Sequence, residues 1–245
     1  MPRPEPTLAM PTSNAAPVAP FQPLGIFGGT FDPVHLGHLR LAEEAREQLG
    51  LPEVRWIPAG QPPHRTGPRV ASRHRLAMVR AATADNPAFS VDSAEVESDA
   101  PSYTVTTLER LRGLEGARPL VLLLGADAFL GFTRWHRWRD IVELAHLAVL
   151  TRPGFQFDPA KVAAGEGMPA DAELAELIEG RRLAPGGSAS LREGPAGSLV
   201  FLPMAPLAIS ATDIRARLGE ARSVRYLLPS SVIDYIAANR LYRPE

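Results

Sequence analysis

Apolar residues along this chain fall into two rhythms, short unbroken runs and longer stretches with a helical repeat. Residues 24–27 read as a buried strand, and from about 35 to 49 Leu41, Ala45 and Leu49 recur at i, i+4, i+8, the stripe of an amphipathic helix. The alternation continues with a strand at 54–57, a helix at about 72–84, a weaker strand at 89–91 and a helix at about 105–113. Strands at 120–124, 147–150 and 200–202 follow, and helices at about 210–218 and 229–238 close the chain. The run 120–124, between Pro119 and Gly125, is apolar at every position, as a strand covered on both faces must be. Strands alternating with helices imply βαβ units, and so an α/β fold with a doubly wound, mostly parallel sheet.

Two segments break the rhythm. Residues 1–20 are rich in Pro and Ala without the continuous apolar core of a secretory signal, and read as a disordered tail ahead of a single domain over 21–245. Residues 154–198, approximately, hold many Gly, Ala and Pro with one helix-like patch at about 171–178. They read as a partly mobile insertion between two strands rather than a second domain.

Composition narrows the function. A formal charge of −1 over 245 residues gives little attraction for nucleic acid. The lack of cysteine excludes disulfides and thiolate metal sites. No apolar run reaches the roughly 18 residues a bilayer span needs, so a cytoplasmic location and no membrane partner are expected. Lys161 is the single lysine. A phosphate site here cannot use a P-loop lysine and must rely on arginine, histidine and backbone amides.

Three segments fall at carboxyl ends of strands, where ligands of open α/β sheets bind. The first is Gly28-Gly29-Thr30-Phe31-Asp32-Pro33-Val34-His35-Leu36-Gly37-His38. Gly28 and Gly29 suit a sharp turn and close phosphate approach, and Thr30 can donate a hydroxyl. The helix start offers free N–H groups and a positive dipole end. His35 and His38, three apart, can share one side of the first turn, with Gly37 leaving room for a ligand; imidazoles there can donate to oxygens gaining charge in an in-line displacement. The spacing is neither G-x-G-x-x-G nor a Walker loop. Taken alone, His-x-x-His also reads as two surface histidines on a structural turn, or as a metal pair lacking a third ligand.

The second segment is Ile209-Ser210-Ala211-Thr212-Asp213-Ile214-Arg215. Ser210 fits an N-cap, Ser210 and Thr212 with nearby amides fit a phosphate, and Arg215 could grip outer phosphates in bidentate fashion. By itself it is equally an ordinary helix start. In the third, Gly125-Ala126-Asp127, the carboxylate suits either ribose hydroxyls or the N-cap of a following helix.

These residues resemble the nucleotidyltransferase superfamily, whose signature ends in His-x-Gly-His and whose second motif is Ile-Ser-x-Thr-x-x-Arg. Pro62-Pro63-His64-Arg65, Pro101-Ser102-Tyr103-Thr104, Gly125-Ala126-Asp127, Thr133-Arg134-Trp135, Arg152-Pro153-Gly154 and the ending from Leu227 to Tyr242 are similar to the bacterial nicotinate-nucleotide adenylyltransferases within it. The likeness covers about 24–154 and 199–242. It implies a Rossmann-like fold and transfer of the adenylyl group of ATP to nicotinate mononucleotide, a step of NAD biosynthesis, with Mg²⁺ accompanying ATP and no metal held by the protein.

By this resemblance ATP meets Gly28, Gly29, Thr30, Phe31, Gly125, Asp127, Ile209, Ser210 and Thr212, with His38, His35 and Arg215 also contacting the transition state. Nicotinate mononucleotide lies over Tyr103 and Thr104, Trp135 stacks on its ring, and His64, Arg65 and Arg152 stand near its phosphate or carboxylate. Trp135 and Tyr103 also read as packing residues, and Arg65 and Arg152 as solvated charges. Ala211 stands where relatives often carry serine, Ala128 likewise, and the loop Ala59-Gly60-Gln61 lacks an asparagine many of them have. Other acceptors (nicotinamide mononucleotide, pantetheine phosphate), a nucleotide-binding protein without turnover, and a homo-oligomer stay open at this point.

Overall fold

In strand β4 (Leu120–Gly125), Leu120, Leu122 and Leu124 enter one core while Val121 and Leu123 enter another, the two-residue period of a strand buried on both sides. The structure, a computed structural model, describes residues 22–62, 67–151, 158–166, 171–205 and 207–243. With β1 (Leu24–Gly29), β2 (Glu53–Pro58), β3 (Phe89–Val91), β5 (His146–Thr151) and β6 (Leu199–Pro203), β4 forms one all-parallel sheet in the order β3-β2-β1-β4-β5-β6.

Among the described residues the helices are α1 (Leu36–Leu49), α2 (Ser72–Thr83), α3 (Ala94–Glu97), α4 (Thr104–Glu115), α5 (Ala126–Phe129), α6 (Trp138–Leu144), α7 (Pro159–Ala164), α8 (Ala172–Arg181), α9 (Ala211–Gly219) and α10 (Ser230–Ala238). Ala42, Ala45 and Leu49 of α1, Met78 and Val79 of α2, Ile214 of α9 and Val232 and Ile236 of α10 fill the core on one face. Val105, Leu108 and Leu111 of α4, Ile141 of α6, and Leu174, Leu177 and Ile178 of α8 fill the other. This is the expected doubly wound α/β architecture with helices on both faces.

The stretch read as an insertion has a definite place in its described part. Helix α8 lies on the connection from β5 to β6 and buries Leu174, Ala175, Leu177 and Ile178 in the second core. Fully burying each of its larger side chains stabilises by about 1.5–3 kcal/mol. Helices α3 and α5, four residues each, are too short to show a period in sequence.

Strands β1 and β4 are neighbours in the sheet. Helix α1, after β1, packs on the first face, whereas Phe129 of α5, after β4, packs into the second core. A crevice therefore opens where the two connections part, at the carboxyl ends of β1 and β4. No helix among the described residues is long and apolar enough to cross a membrane.

Candidate active site

The crevice is a cleft of about 1570 Å³. Its floor begins at the end of β1, where the structure corrects the expected glycine turn. Gly28 and Gly29 are paired with Ile57 and Pro58 as the last strand residues, and neither has positive φ. The chain turns instead at Phe31, which holds φ 50° and folds its ring back under Gly29. A Cβ on Gly29 would lie 2.8 Å from that ring, so its missing side chain makes room for Phe31; Gly28 has open space where a Cβ would be. The Phe31 ring packs edge-on at 5.2 Å from the His38 imidazole. The strained backbone therefore supports the histidine from below.

His35 is the N-cap of α1 and His38 is its third residue. Each caps the other: the His38 amide donates to His35 Nδ1 at 3.3 Å, and the His35 amide donates to His38 Nδ1 at 3.2 Å. The rings stack with centroids 3.6 Å apart and planes 23° apart. A neutral imidazole carries its proton on one nitrogen only, so accepting at Nδ1 places the hydrogen on Nε2 in both rings. Burial lowers the His35 pKa to about 4, and burial together with the neighbouring His35 holds His38 well below 6.5. At neutral pH the pair is uncharged and presents two Nε2–H donors at the cleft that both rings line.

A further expectation for this turn is corrected. The helix start does not offer a set of free amides, since His38 N is spent on capping and Leu36 N donates to Leu227 O at 3.0 Å. Gly37 lines the cleft and also makes room for the His35 ring, because a Cβ there would sit 3.0 Å from His35 Nδ1.

Arg215 reaches this turn from α9. Its Nη1 donates to Asp32 O at 2.7 Å and its Nη2 to Thr212 Oγ1 at 3.2 Å. Ser210 caps α9, accepting from Asp213 N at 3.1 Å. Asp32 gathers the turn further: its carboxylate accepts from Tyr242 Oη at 2.6 Å and from Arg69 N at 2.8 Å. The two distant motifs thus surround one cleft, which Gly28, Gly29, Thr30, Phe31, Ile209, Ser210, Thr212 and Arg215 all line.

The opposite wall comes from the other face of the sheet. Gly125, Asp127, Tyr103, Thr104 and Trp135 line it. Asp127 is exposed and lies inside α5, whose N-cap is Gly125, so the N-cap alternative for Asp127 falls away. Trp135 packs on Phe132 at 5.5 Å and also lines the cleft. Tyr103 stands 4.5 Å from the ring of His136, a cleft residue that sequence reasoning passes over although it directly follows the Thr133-Arg134-Trp135 segment. Glu95 lines this wall too, accepting from Thr107 Oγ1 at 2.5 Å, with burial raising its carboxyl pKa. His64, Arg65 and Arg152 lie outside the described residues. Among the described residues no group of three His, Cys, Asp or Glu could hold a metal ion.

Residues 26–217 match the model of the cytidylyltransferase-like family. The chain is 57% identical over 223 residues to the "Probable nicotinate-nucleotide adenylyltransferase" of Dechloromonas aromatica, covering 91% of this chain and 98% of that protein. It is 46% identical to the protein of the same name from Pseudomonas putida strain GB-1, covering 90% and 94%. In three dimensions it is similar to the Plasmodium falciparum nicotinic acid mononucleotide adenylyltransferase complexed with NaAD, with a TM-score of 0.65 over 90% of this chain and 97% of that one. At 15% identity that likeness speaks for the fold. The doubly wound sheet, the cleft lined by both imidazoles and Arg215 and these relatives agree: the chain belongs to the cytidylyltransferase-like family and, within it, to the nicotinate-nucleotide adenylyltransferases.

Proposed function

We propose that this enzyme joins ATP and nicotinate mononucleotide into nicotinate adenine dinucleotide, releasing pyrophosphate. A phosphate oxygen of the mononucleotide attacks the α-phosphorus of ATP in line, and the bond to the bridging oxygen of the β-phosphate breaks. No protein nucleophile is needed, so the protein contributes positioning and charge stabilisation. The observation that carries this reading is the reciprocal capping of His35 and His38, which commits both Nε2–H groups to donation. Donors oriented in advance for a phosphoryl group gaining charge stabilise a transition state without reorganising.

Arg215 adds a fixed positive charge beside the turn, and Thr30, Ser210 and Thr212 supply hydroxyls around the triphosphate. Asp127 suits the adenosine ribose, and Tyr103, Thr104 and Trp135 form the wall on which the pyridine ring rests. An aromatic face suits that flat cationic ring. The cleft holds the carboxylates of Asp32, Glu95 and Asp127, but among the described residues no three such side chains group into a metal site, so Mg²⁺ fits as a companion of the phosphates, which would coordinate it and lose part of their charge.

The test is incubation of the protein with ATP and, separately, nicotinate mononucleotide, nicotinamide mononucleotide and pantetheine phosphate, with products identified by mass. Nicotinate adenine dinucleotide as the main product is the expected result. Exclusive product from another acceptor overturns the substrate, and no product from any acceptor overturns the reaction.

A further inference from the structure

Arg75 on α2 is only 1% exposed, and among the described residues no carboxylate lies within ion-pair distance of it. Its Nη1 donates to Thr30 O at 2.7 Å, its Nη2 donates to Gly60 O at 2.9 Å, and its Nε has no partner. Burial disfavours its charge while Asp32 and Glu95 act on it only from beyond ion-pair distance, and an apolar side chain of similar volume would pack there without that cost. Stability alone therefore does not account for an arginine at this position.

Its two acceptors stand on opposite sides of the chemistry. Thr30 belongs to the turn under the histidine pair. Gly60 belongs to the loop after β2, which is clasped from the other wall: Gly60 N and Gln61 N both donate to Ser102 Oγ, at 2.9 and 3.1 Å, next to Tyr103. Gly60 lies close against the Glu95 backbone, since a Cβ on it would lie 1.9 Å from Glu95 O. The planar fork of one arginine thus adds a side-chain tie beyond the sheet, where Gly29 pairs with Pro58 and Ala59 N donates to Gly29 O at 2.9 Å, and braces the triphosphate turn against the acceptor loop.

We infer that Arg75 is a positioning residue for adenylyl transfer, a staple that holds the ATP half and the acceptor half of the cleft in mutual register. This rests on the reaction proposed above. In-line attack depends on the spacing of two separately bound substrates, so loosening the staple should affect turnover more than the binding of either one.

Arg75→Lys keeps the charge but cannot span both carbonyls, and Arg75→Gln removes the charge. The expected result is folded protein by circular dichroism, kcat lowered about tenfold to a hundredfold, and KM for each substrate within about threefold of wild type. Ser102→Ala, which frees Gly60 from its other clasp and leaves the buried charge in place, should also lower kcat, by several-fold. A purely structural Arg75 would instead lower the melting temperature and leave kcat intact below it. Wild-type kcat in the folded lysine variant together with wild-type kcat in Ser102→Ala overturns the staple. Absence of product from the wild-type control overturns the reaction itself, and the staple's role with it.

Discussion

Replacing Gly37 by alanine should separate activity from stability. The added Cβ would lie 3.0 Å from His35 Nδ1, 3.1 Å from His35 Cε1 and 3.5 Å from Ile209 Cβ, where ordinary contact begins at 3.4 Å. Backbone lies on one side of this methyl and a packed side chain on another, so the His35 imidazole is the part free to yield, by a few tenths of an ångström. The bond from His38 N to His35 Nδ1 is already 3.3 Å long and sits at the edge of hydrogen bonding. A small rotation breaks it, and with it the constraint that puts the proton on Nε2.

Alanine in place of glycine favours a helix by about 0.5–1 kcal/mol, less in a first turn, and losing one capping bond costs about 1 kcal/mol. The melting temperature should therefore move by only a few degrees. Turnover has no such offset. If displacement of about 1 Å costs on the order of a hundredfold, a shift of about half that costs roughly tenfold. The assay is pyrophosphate release at saturating ATP and nicotinate mononucleotide, with thermal unfolding of the same samples. Turnover within twofold of wild type in a normally folded variant would falsify the claim that the His35 ring must be held where Gly37 lets it lie.

The lowered histidine pKa values make stability depend on pH. Because His35 titrates near 4 in the folded protein against an ordinary value of 6.5, the unfolded chain binds more protons between those limits. Stability is then full above about pH 6.5 and is lost as pH falls towards 4, by up to about 3 kcal/mol from this group, with His38 acting in the same direction. Urea midpoints measured over that range should decline, and the decline should shrink in His35→Asn; an identical slope in that variant counts against the assignment. Gly60→Ala forces a Cβ to 1.9 Å from the Glu95 carbonyl oxygen and should destabilise by about 3 kcal/mol, checked by chemical unfolding, with an unchanged midpoint as the contrary result. Tyr242→Phe strips the donor at 2.6 Å from the buried Asp32 carboxylate and should cost about 2 kcal/mol in the same assay; a loss under about 0.5 kcal/mol would show that the tie is idle.

The architecture was legible because its signal is long-range and repetitive. Runs such as 120–124 have no polar face, which only a strand buried on both sides tolerates, and the helices between strands carry stripes wide enough to see. What escaped notice was short or composite. Helices α3 and α5 span barely one turn each, and the helix-like patch at about 171–178, which is α8, sits in a stretch whose glycine and proline content hides that its four buried positions join the core. Arg75 escaped for a different reason: an arginine on an amphipathic helix looks like solvent-facing charge until both carbonyls it spans are located.

The signature turn shows where residue reading and geometry part. Sequence places the two imidazoles at the helix start, and the structure brings the two motifs around one cleft. Sequence expects donors from both the backbone amides and the imidazoles, whereas here the amides of His35 and His38 are consumed by the rings and donation falls to the rings through Nε2. That exchange explains the spacing. A reciprocal cap joins the N-cap residue to the third residue of the helix, so two histidines that orient each other must stand three apart. The residue beside the stacked ring must then lack a Cβ, which is the place Gly37 holds. The spacing of His-x-Gly-His is, on this argument, a helix-capping rule recruited to fix the tautomer of two cleft-lining imidazoles.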